Sequence, residues 1–461
     1  GDHRFLHSFP TRRSSDLFYQ YNMKRDITQE LKLWKDSEEK KPLIIRGARQ
    51  TGKTYVIRQF GAEEFQNTIY LNLERNPELK DIFKTLVPSE INERITLFTN
   101  MKPEPGKTLL IIDEIQESTQ AILSLRYFHE EMPGLHVIAA GSLLEFALKS
   151  ENLRMPAGRV QYLYLYPMTF GEFLDALGET ELRSYLRRLE NLTELPEGLH
   201  LKLLEMVRRY YYTGGMPEVV QAYVSTGDIK KCMRIQRSII DTFIDDFGKY
   251  AKDAKHEMLK KVFDAVPAMV GQRFVYTRID RTVKAGKIKE ALELLQTAGI
   301  VKRIRQTSGA GLPLSVSVHE SIFKVLFLDV GLMHAVCGIY AETARENDFT
   351  TIFRGAVAEQ FTGQELLANQ PAYTKPGLYY WGRNARNSLA EIDYLIEKNG
   401  QVIPVEVKSG SLGKMKSLHL FMEAYRTKRA LKISQAPFEN GSPVLSLPFY
   451  AIEGFLKREV E

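Results

Sequence analysis

In the stretch "KPLIIRGARQTGKTYVIRQF", Gly47 and Gly52 bracket four residues and lead directly into Lys53 and Thr54. Glycines let backbone N–H groups come close to an anion. The short apolar strand before them and the helical pattern after them place this loop at a helix N-terminus, where phosphate is favoured. In that arrangement Gly47, Ala48, Arg49, Gln50, Thr51 and Gly52 wrap nucleotide phosphates, Lys53 reaches the β- and γ-phosphates, and the Thr54 hydroxyl ligates Mg²⁺. A second stretch, "TLLIIDEIQE", is an apolar run ending in Asp113 and Glu114, the form of a buried strand that delivers acids to its C-terminal end. Asp113 would hold the Mg²⁺ through water. Glu114 would orient or deprotonate the attacking water, or else only cap the next helix. Ser142, ending "LHVIAAGS", has two readings of equal weight: a hydrogen bond to the γ-phosphate or water, and a helix N-cap. Arg159, in "PAGRV", is a candidate arginine for sensing γ-phosphate in cis or in trans, against a surface arginine beside a strand. ATP and Mg²⁺ are the cofactors this set calls for.

A second group of reactive types lies far downstream in "EIDYLIEKNGQVIPVEVKSG". Two Ile/Val-rich arms flank Asn399-Gly400, a strong signal for a tight hairpin. A two-residue turn there sets Asp393 opposite Glu406 and Glu391 opposite Lys408, with all four projecting from one face. Two carboxylates facing each other repel, so something must compensate. A divalent cation held by Asp393 and Glu406 would carry a hydroxide and stabilise a phosphoryl transition state, with Lys408 beside it to steady the phosphate or the water. The alternative is a salt-bridge cluster in which Lys408 neutralises Glu391 and Asp393. Spacing alone leaves both open.

The elements that must position these groups can be read from the pattern. "TIYLNLE", "TLLIIDE", "LHVIAAGS" and "VQYLYLYPM" join Leu43 to Ile45 as five strands separated by helical stretches, the alternation of an α/β fold with a parallel sheet. From Met168 to about Tyr250 the periodicity is helical, as in "LHLKLLEMVRRYYY" and "CMRIQRSIIDTFIDDF". Gly214-Gly215 before Met216-Pro217 reads as a turn between helices, and Tyr210 to Tyr212 as helix core. Residues 251–340 read as helix, strand, Gly-rich turn, strand, similar to a winged helix, with Lys302, Arg303 and Arg305 on or near the wing. That wing would either contact nucleic-acid phosphates or serve as a solvated spacer.

The chain has 461 residues, 44% hydrophobic and 26% charged, which implies more than one globular domain. Net charge is +6 and the pI near 8.9, compatible with DNA or RNA as partner but not evidence for it. Cys232 and Cys337 are the two cysteines, which excludes a disulfide framework and suits a reducing cytoplasm. No apolar stretch is long enough to span a bilayer, so no membrane association is expected. Residues 1–22 do not read as part of a domain; "HSFPTRRSSDL" looks like a translated sequencing adapter, with a disordered basic tail as the alternative.

"PLIIRGARQTGKT", "IIDEIQE", "AAGSLLEFAL", "GRVQYLYLYPMTFGEFL" and "YYTGGMPEVV" together resemble a family of bacterial and archaeal AAA-class ATP-binding proteins whose C-terminal part is related to restriction-endonuclease-like folds. The resemblance implies an AAA-type P-loop NTPase core over 23–167, a helical lid over 168–250, the winged-helix-like module over 251–340 and a nuclease-like α/β domain over 341–461. The order Asp393, turn, Glu406-x-Lys408 is similar to the PD-(D/E)xK pattern of metal-dependent nucleases. Glu359, in "FRGAVAEQFTGQELLA", stands where that superfamily often places another acid. Ile392-Asp393 replaces the "PD" dipeptide, which puts cleavage, though not the fold, in doubt. Relatives of the AAA class often form rings, so a homo-oligomer is compatible, although nothing in the sequence demands one. Two functions follow as expectations: an ATP-hydrolysing protein with a Mg²⁺-dependent nuclease domain, or an ATP-dependent switch whose nuclease-like domain only binds a partner.

Overall fold

The structure, a computed structural model, describes residues 23–150, 158–188, 192–193, 195–250, 253–339, 351–385, 388–410 and 415–458. After α1 (Ile27–Asp36), the strand β1 (Leu43–Arg46) runs into the Gly47–Gly52 loop and α2 (Lys53–Glu64). Gly52 has φ of +90°, a left-handed backbone that L side chains rarely adopt, and this lets the strand turn straight into the helix at Lys53. Four more strands follow, β2 (Asn67–Asn72), β3 (Thr108–Asp113), β4 (His136–Ala140) and β5 (Gln161–Tyr164), with α3 (Pro88–Thr99), α4 (Thr119–Glu131) and α5 (Leu144–Ser150) between them.

All five strands pair in parallel in the order β2-β3-β4-β1-β5. β3 and β4 are buried at every position, so both faces must be covered, as the unbroken apolar runs require. Alternate residues feed two cores: Ile44, Leu110, Ile112 and Val137 on one side, and Ile45, Leu109, Ile111 and Ile138 on the other. The five expected strands are therefore present. β4 lies between the loop-bearing strand and the Asp113 strand, which brings the end of "HVIAAGS" between the two halves of the nucleotide site.

The stretch expected as a lid is helical, as its periodicity implies: α6 (Phe170–Ala176), α7 (Thr180–Arg187), α8 (Glu197–Thr213), α9 (Pro217–Thr226) and α10 (Ile229–Tyr250). Thr169 and Glu172 form a reciprocal capping box at the start of α6. Gly214-Gly215 is the turn between α8 and α9; the Gly215 N–H donates to Asp329, and Tyr210 is fully buried. After α11 (Asp253–Ala265) and α12 (Ala285–Thr297) comes the expected hairpin, β6 (Val301–Thr307) and β7 (Val318–Phe327).

Here the structure departs from the expected boundaries. The β6–β7 hairpin does not belong to a separate module: β6 pairs in parallel with β8 (Tyr379–Ala385), which makes the hairpin two strands of the C-terminal sheet. That seven-stranded sheet, of order β12-β11-β10-β9-β8-β6-β7, is completed by β9 (Ser388–Lys398), β10 (Gln401–Val407), β11 (Ala430–Ser434) and β12 (Val444–Pro448). The helices α13 (Val330–Val336), α14 (Thr351–Ala368), α15 (Lys416–Tyr425) and α16 (Ile452–Lys457) accompany it. A local pattern of helix, strand, turn and strand shows a hairpin but not which sheet it joins.

One apolar core runs from Met168 and Tyr210 in the lid through Phe263 and Leu292 to Phe361, Val405 and Ile452. A buried ionic network reinforces it. Arg183 reaches Asp26 and Glu453, each at 2.6 Å, and Asp175 at 2.5 Å, while Arg187 reaches Glu453 at 2.9 Å. No helix among the described residues is long and apolar enough to cross a membrane.

Candidate functional site

The nucleotide site assembles at the C-terminal ends of β1, β3 and β4. The Thr54 hydroxyl donates to Asp113 Oδ2 at 2.9 Å, and Tyr70 donates to the same oxygen at 2.7 Å. The two expected Mg²⁺ ligands are thus in contact. Glu114 Oε2 accepts from Gln116 at 2.7 Å and from the Ser142 backbone and hydroxyl at 3.3 and 3.4 Å, which brings Glu114 and Ser142 together as well. The loop packs tightly against the chain that leaves β5: a Cβ at Gly47 would lie 2.3 Å from the Leu165 carbonyl oxygen. Lys53 is buried, and its ammonium donates to Gly47 O at 2.9 Å and Ala48 O at 2.7 Å. Burial lowers its pKa to about 8, against the opposing pull of Glu114 and Asp113. A desolvated ammonium, a glycine cradle and a hydroxyl–carboxylate pair fit ATP with Mg²⁺, whose phosphates would take the place of the loop's own carbonyls around Lys53.

Two arginines tie this loop to the helices beyond β5: Arg25, which stands in no motif, and Arg49, within the loop itself. Arg25 donates to Thr51 O at 2.9 Å, to Tyr166 O at 2.7 Å and to Glu172 at 3.0 Å, which ties the loop to the lid. Arg49 forms an ion pair with the buried Asp246 of α10. Arg159 goes elsewhere: it precedes β5, at the opposite end of the sheet from the loop, and pairs with Glu130 at 2.8 Å. The structure therefore does not bring it to its own nucleotide site. Asn72 donates to Tyr70 and reaches that site indirectly, at 3.2 Å.

The downstream hairpin forms in the expected register, from Gln401 opposite Lys398 to Val405 opposite Tyr394. Asp393 Oδ2 accepts from the Val407 N–H at 2.8 Å, and Lys408 Nζ lies 2.5 Å from Glu406 Oε1. The countercharge for the other acids is not Lys408. Lys324, on β7, is buried and reaches Glu391 at 2.5 Å, Glu359 at 3.3 Å and Asp393 at 3.5 Å. The expected neutralisation of Glu391 and Asp393 by Lys408 is thus corrected, because the hairpin β6–β7 enters the same sheet and supplies its own lysine. Glu359 is held by α14, whose backbone accepts from the Tyr394 hydroxyl at 2.8 Å. Lys302, Arg303 and Arg305 are not a free wing: Lys302 donates to Pro376 O, Arg303 stacks over Phe323, and Arg305 pairs with Glu320.

Four carboxylates share two lysines in this cluster. For Lys324 the carboxylates together outweigh burial: desolvation opposes its charge, but Glu359, Asp393 and Glu391 hold its pKa well above the ordinary range. The excess negative charge appears on the acids. Burial, then Asp393, raises Glu359 to about 8, and burial, then Asp393, raises Glu406 to about 7. Glu406 Oε2 is buried without a hydrogen-bond partner. Among the described residues no three acidic, His or Cys side chains form a ready cage for a metal. Asp393 and Glu406 alone would leave most positions around a divalent ion to water, the manner in which Mg²⁺ is often bound.

A pH dependence follows. Both folded-state values lie above the ordinary 4.5, so the folded state binds extra protons. The stability these groups contribute is complete below pH 4.5 and is lost as pH rises through about 7 and 8. Without nucleotide, Mn²⁺ is expected to raise the melting temperature by several degrees at pH 8 and hardly at all at pH 6, because it replaces those protons. The rise should vanish in Asp393→Asn; an equal rise in that variant would contradict the site.

Residues 39–174 match the family model of an AAA domain. Residues 204–343 and 354–450 match two others, each described as a domain of unknown function, DUF8612 and DUF4143. No curated protein matches the chain. Similar solved structures include a Thermotoga maritima RuvB variant, at 15% identity over 60% of this chain and 88% of that one with a TM-score of 0.30. The Aeropyrum pernix ORC2 protein shows 14% identity over 71% and 97%, with a TM-score of 0.33. A signal-transduction ATPase of Pyrococcus horikoshii shows 13% over 75% and 45%, with a TM-score of 0.27. Scores this low carry no argument about activity. The family match and the geometry of the loop, Thr54 and Asp113 agree on one point: residues 39–174 are an AAA-type P-loop domain with a parallel α/β sheet.

Proposed function

We propose that this chain hydrolyses ATP in its AAA domain and uses the turnover to control divalent-dependent cleavage of nucleic-acid phosphodiester bonds at the C-terminal cluster. The observation that carries the second half is the buried, unpartnered Glu406 Oε2 near Asp393, with Lys408 2.5 Å from the other oxygen of the same carboxylate. A buried acceptor left without a donor is costly, and a cation satisfies it. When bound there, a divalent ion would supply Lewis acidity and a water nucleophile at neutral pH. Lys408 would steady the negative charge that develops on the phosphate, and Asp393, fixed by the Val407 N–H, would set the position of the Glu406 carboxylate relative to it.

In the AAA domain, Glu114 would orient the attacking water, with Ser142 holding its carboxylate in place. Lys53 would leave the Gly47 and Ala48 carbonyls for the phosphates. Contacts that support coupling run from the same loop: Arg49 pairs with Asp246 of the lid, and Ala48 packs on Gly299, so closely that a Cβ on Gly299 would lie 3.3 Å from it. Gly299 leads into β6, two strands from β9. Movement of the loop on nucleotide binding would therefore reach the C-terminal sheet through one short connection.

One observation favours a second reading. Lys324 already stands among Glu359, Glu391 and Asp393, as an internal cation would in a domain that has given up metal and only binds a partner. Measuring ATP turnover and DNA nicking in one sample separates the two. The first reading expects nucleic acid to raise ATP turnover and Lys53→Ala to change nicking. The second expects ATP turnover indifferent to nucleic acid and no nicking with Mg²⁺ or Mn²⁺ in any nucleotide state.

A further inference from the structure

A pocket opens beside the carboxylate cluster, lined by Arg273, Gln306, Tyr380, Gly382, Arg383 and Glu391. Two features make it distinct from the cluster itself. Arg273 and Arg383 are exposed, and neither guanidinium has a hydrogen-bond or ion-pair partner among the described residues. The single acid in the lining, Glu391, is already paired with Lys324 at 2.5 Å. The pocket therefore carries net positive charge, at the edge of a cluster whose own charge is negative.

The fold fixes the backbone that carries the two arginines. Arg383 lies on β8, paired with Ala390 of β9, and Gln306 Nε2 donates to Gly382 O at 2.5 Å, fixing the floor of the pocket. Arg273 comes from residues 270–274, which run beside β7: the Phe274 N–H donates to Phe323 O at 2.9 Å, and the two rings stack with centroids 5.2 Å apart. This segment covers the acids. Gly271 has φ of +76°, and a Cβ there would lie 3.0 Å from Glu359 Oε1, so only glycine lets the segment approach so closely. Lys324 Nζ lies 5.3 Å from the centroid of the Tyr380 ring, which lines the pocket, so the cluster's lysine sits just behind the pocket wall.

The spacing gives the pocket its ligand. Glu391, in the pocket, and Asp393, in the cluster, are two residues apart on one strand, about 7 Å along its axis. That is on the scale of the step between successive phosphates of a nucleic-acid strand. We propose that the pocket is a phosphate subsite, in which Arg273 and Arg383 hold the backbone phosphate next to the scissile one and so set the strand over Asp393, Glu406 and Lys408. The proposal rests on the cleavage reading above. Guanidinium groups suit the task because their fork of donors matches two phosphate oxygens at once.

The test uses the full chain and a fluorescein-labelled DNA duplex, with Ca²⁺ in place of Mg²⁺ and binding followed by anisotropy over a range of salt. The Arg273→Gln/Arg383→Gln double variant is expected to bind about 10–100-fold more weakly, and its slope of log affinity against log salt should be shallower by about two. The same loss of charge on the lid, Arg208→Gln/Arg237→Gln, should leave both unchanged. Arg273→Lys/Arg383→Lys should recover the slope and only part of the affinity, which sets aside misfolding; in cleavage, KM should rise more than kcat falls. Wild-type affinity and slope in the glutamine double variant would overturn the subsite while leaving cleavage standing; a wild-type chain that binds no duplex would overturn both. Weakened binding by the variant of a duplex that the wild type never nicks would support the subsite and refute the cleavage reading.

Discussion

Replacing Lys324 by Met is expected to cost about 3–5 kcal/mol of stability at pH 8, the usual penalty for removing one partner of a buried ion pair. Met keeps most of the volume, so the loss is electrostatic. Lys324 is the common neighbour of Glu359, Glu391 and Asp393 at 3.3, 2.5 and 3.5 Å, and its removal leaves three carboxylates, two of them largely shielded from water, without their shared cation. The sign with pH is fixed by the same charges. Glu359 is already raised to about 8 by burial and Asp393, with Lys324 pulling the other way; without the lysine it rises further. The acids then take up protons as pH falls, and the penalty should shrink markedly by pH 5. Urea unfolding of wild type and Lys324→Met at both pH values measures this. If Mn²⁺ restores part of the lost stability at pH 8, the cluster can exchange an internal cation for an external one. A penalty that is small, or independent of pH, would mean that Lys324 is not the countercharge described.

The second large effect lies in the AAA domain. Lys53→Ala is expected to lower kcat/KM for ATP by at least about 10²-fold, the scale on which one preorganised charge contributes to a transition state. Glu114→Gln should behave differently: nucleotide binding survives and turnover is lost, because its carboxylate touches Ser142 and Gln116 and not the loop that holds phosphate. A pH signature accompanies Lys53. Its pKa is pushed down to about 8 by burial in the free protein, and a phosphate anion beside it favours the ammonium. ATP affinity should therefore weaken as pH rises past about 8 in the wild type, with uptake of a proton on binding. Lys53→Ala should lose that dependence. Calorimetry in two buffers of different ionisation enthalpy reads the proton directly; an unchanged pH profile in the alanine variant would contradict the assignment.

Much of this is legible in the sequence, for physical reasons. The P-loop, the Asp113 strand and the parallel sheet announce themselves because each is local: a turn that requires glycine, a strand buried on both faces, a helix that follows at once. The hairpin register was legible too, since Asn399-Gly400 admits few turn geometries. What stayed hidden is set by long-range pairing. Lys324 stands in an ordinary amphipathic strand, "VHESIFKVLF", and nothing in its spacing relates it to acids at 359, 391 and 393. It enters the cluster only because β6 pairs in parallel with β8, which no local pattern encodes. Arg25 is similar: a lone arginine ahead of the first helix, yet its guanidinium holds the phosphate loop to the lid. A buried lysine near the middle of an otherwise apolar strand end, "FKVLF", was the one signal that a countercharge was needed elsewhere.

The measurement that bears most directly on the central claim is nicking of supercoiled DNA by the full chain with Mn²⁺, with and without ATP, comparing wild type with Glu406→Gln purified identically. Gln keeps the shape of the side chain and removes the charge that would hold the cation. Nicking by the wild type is expected, dependent on Mn²⁺ and altered by ATP, and none by Glu406→Gln, while both hydrolyse ATP at the same basal rate. Equal nicking by the two proteins, or none by either in any nucleotide state, would contradict the claim.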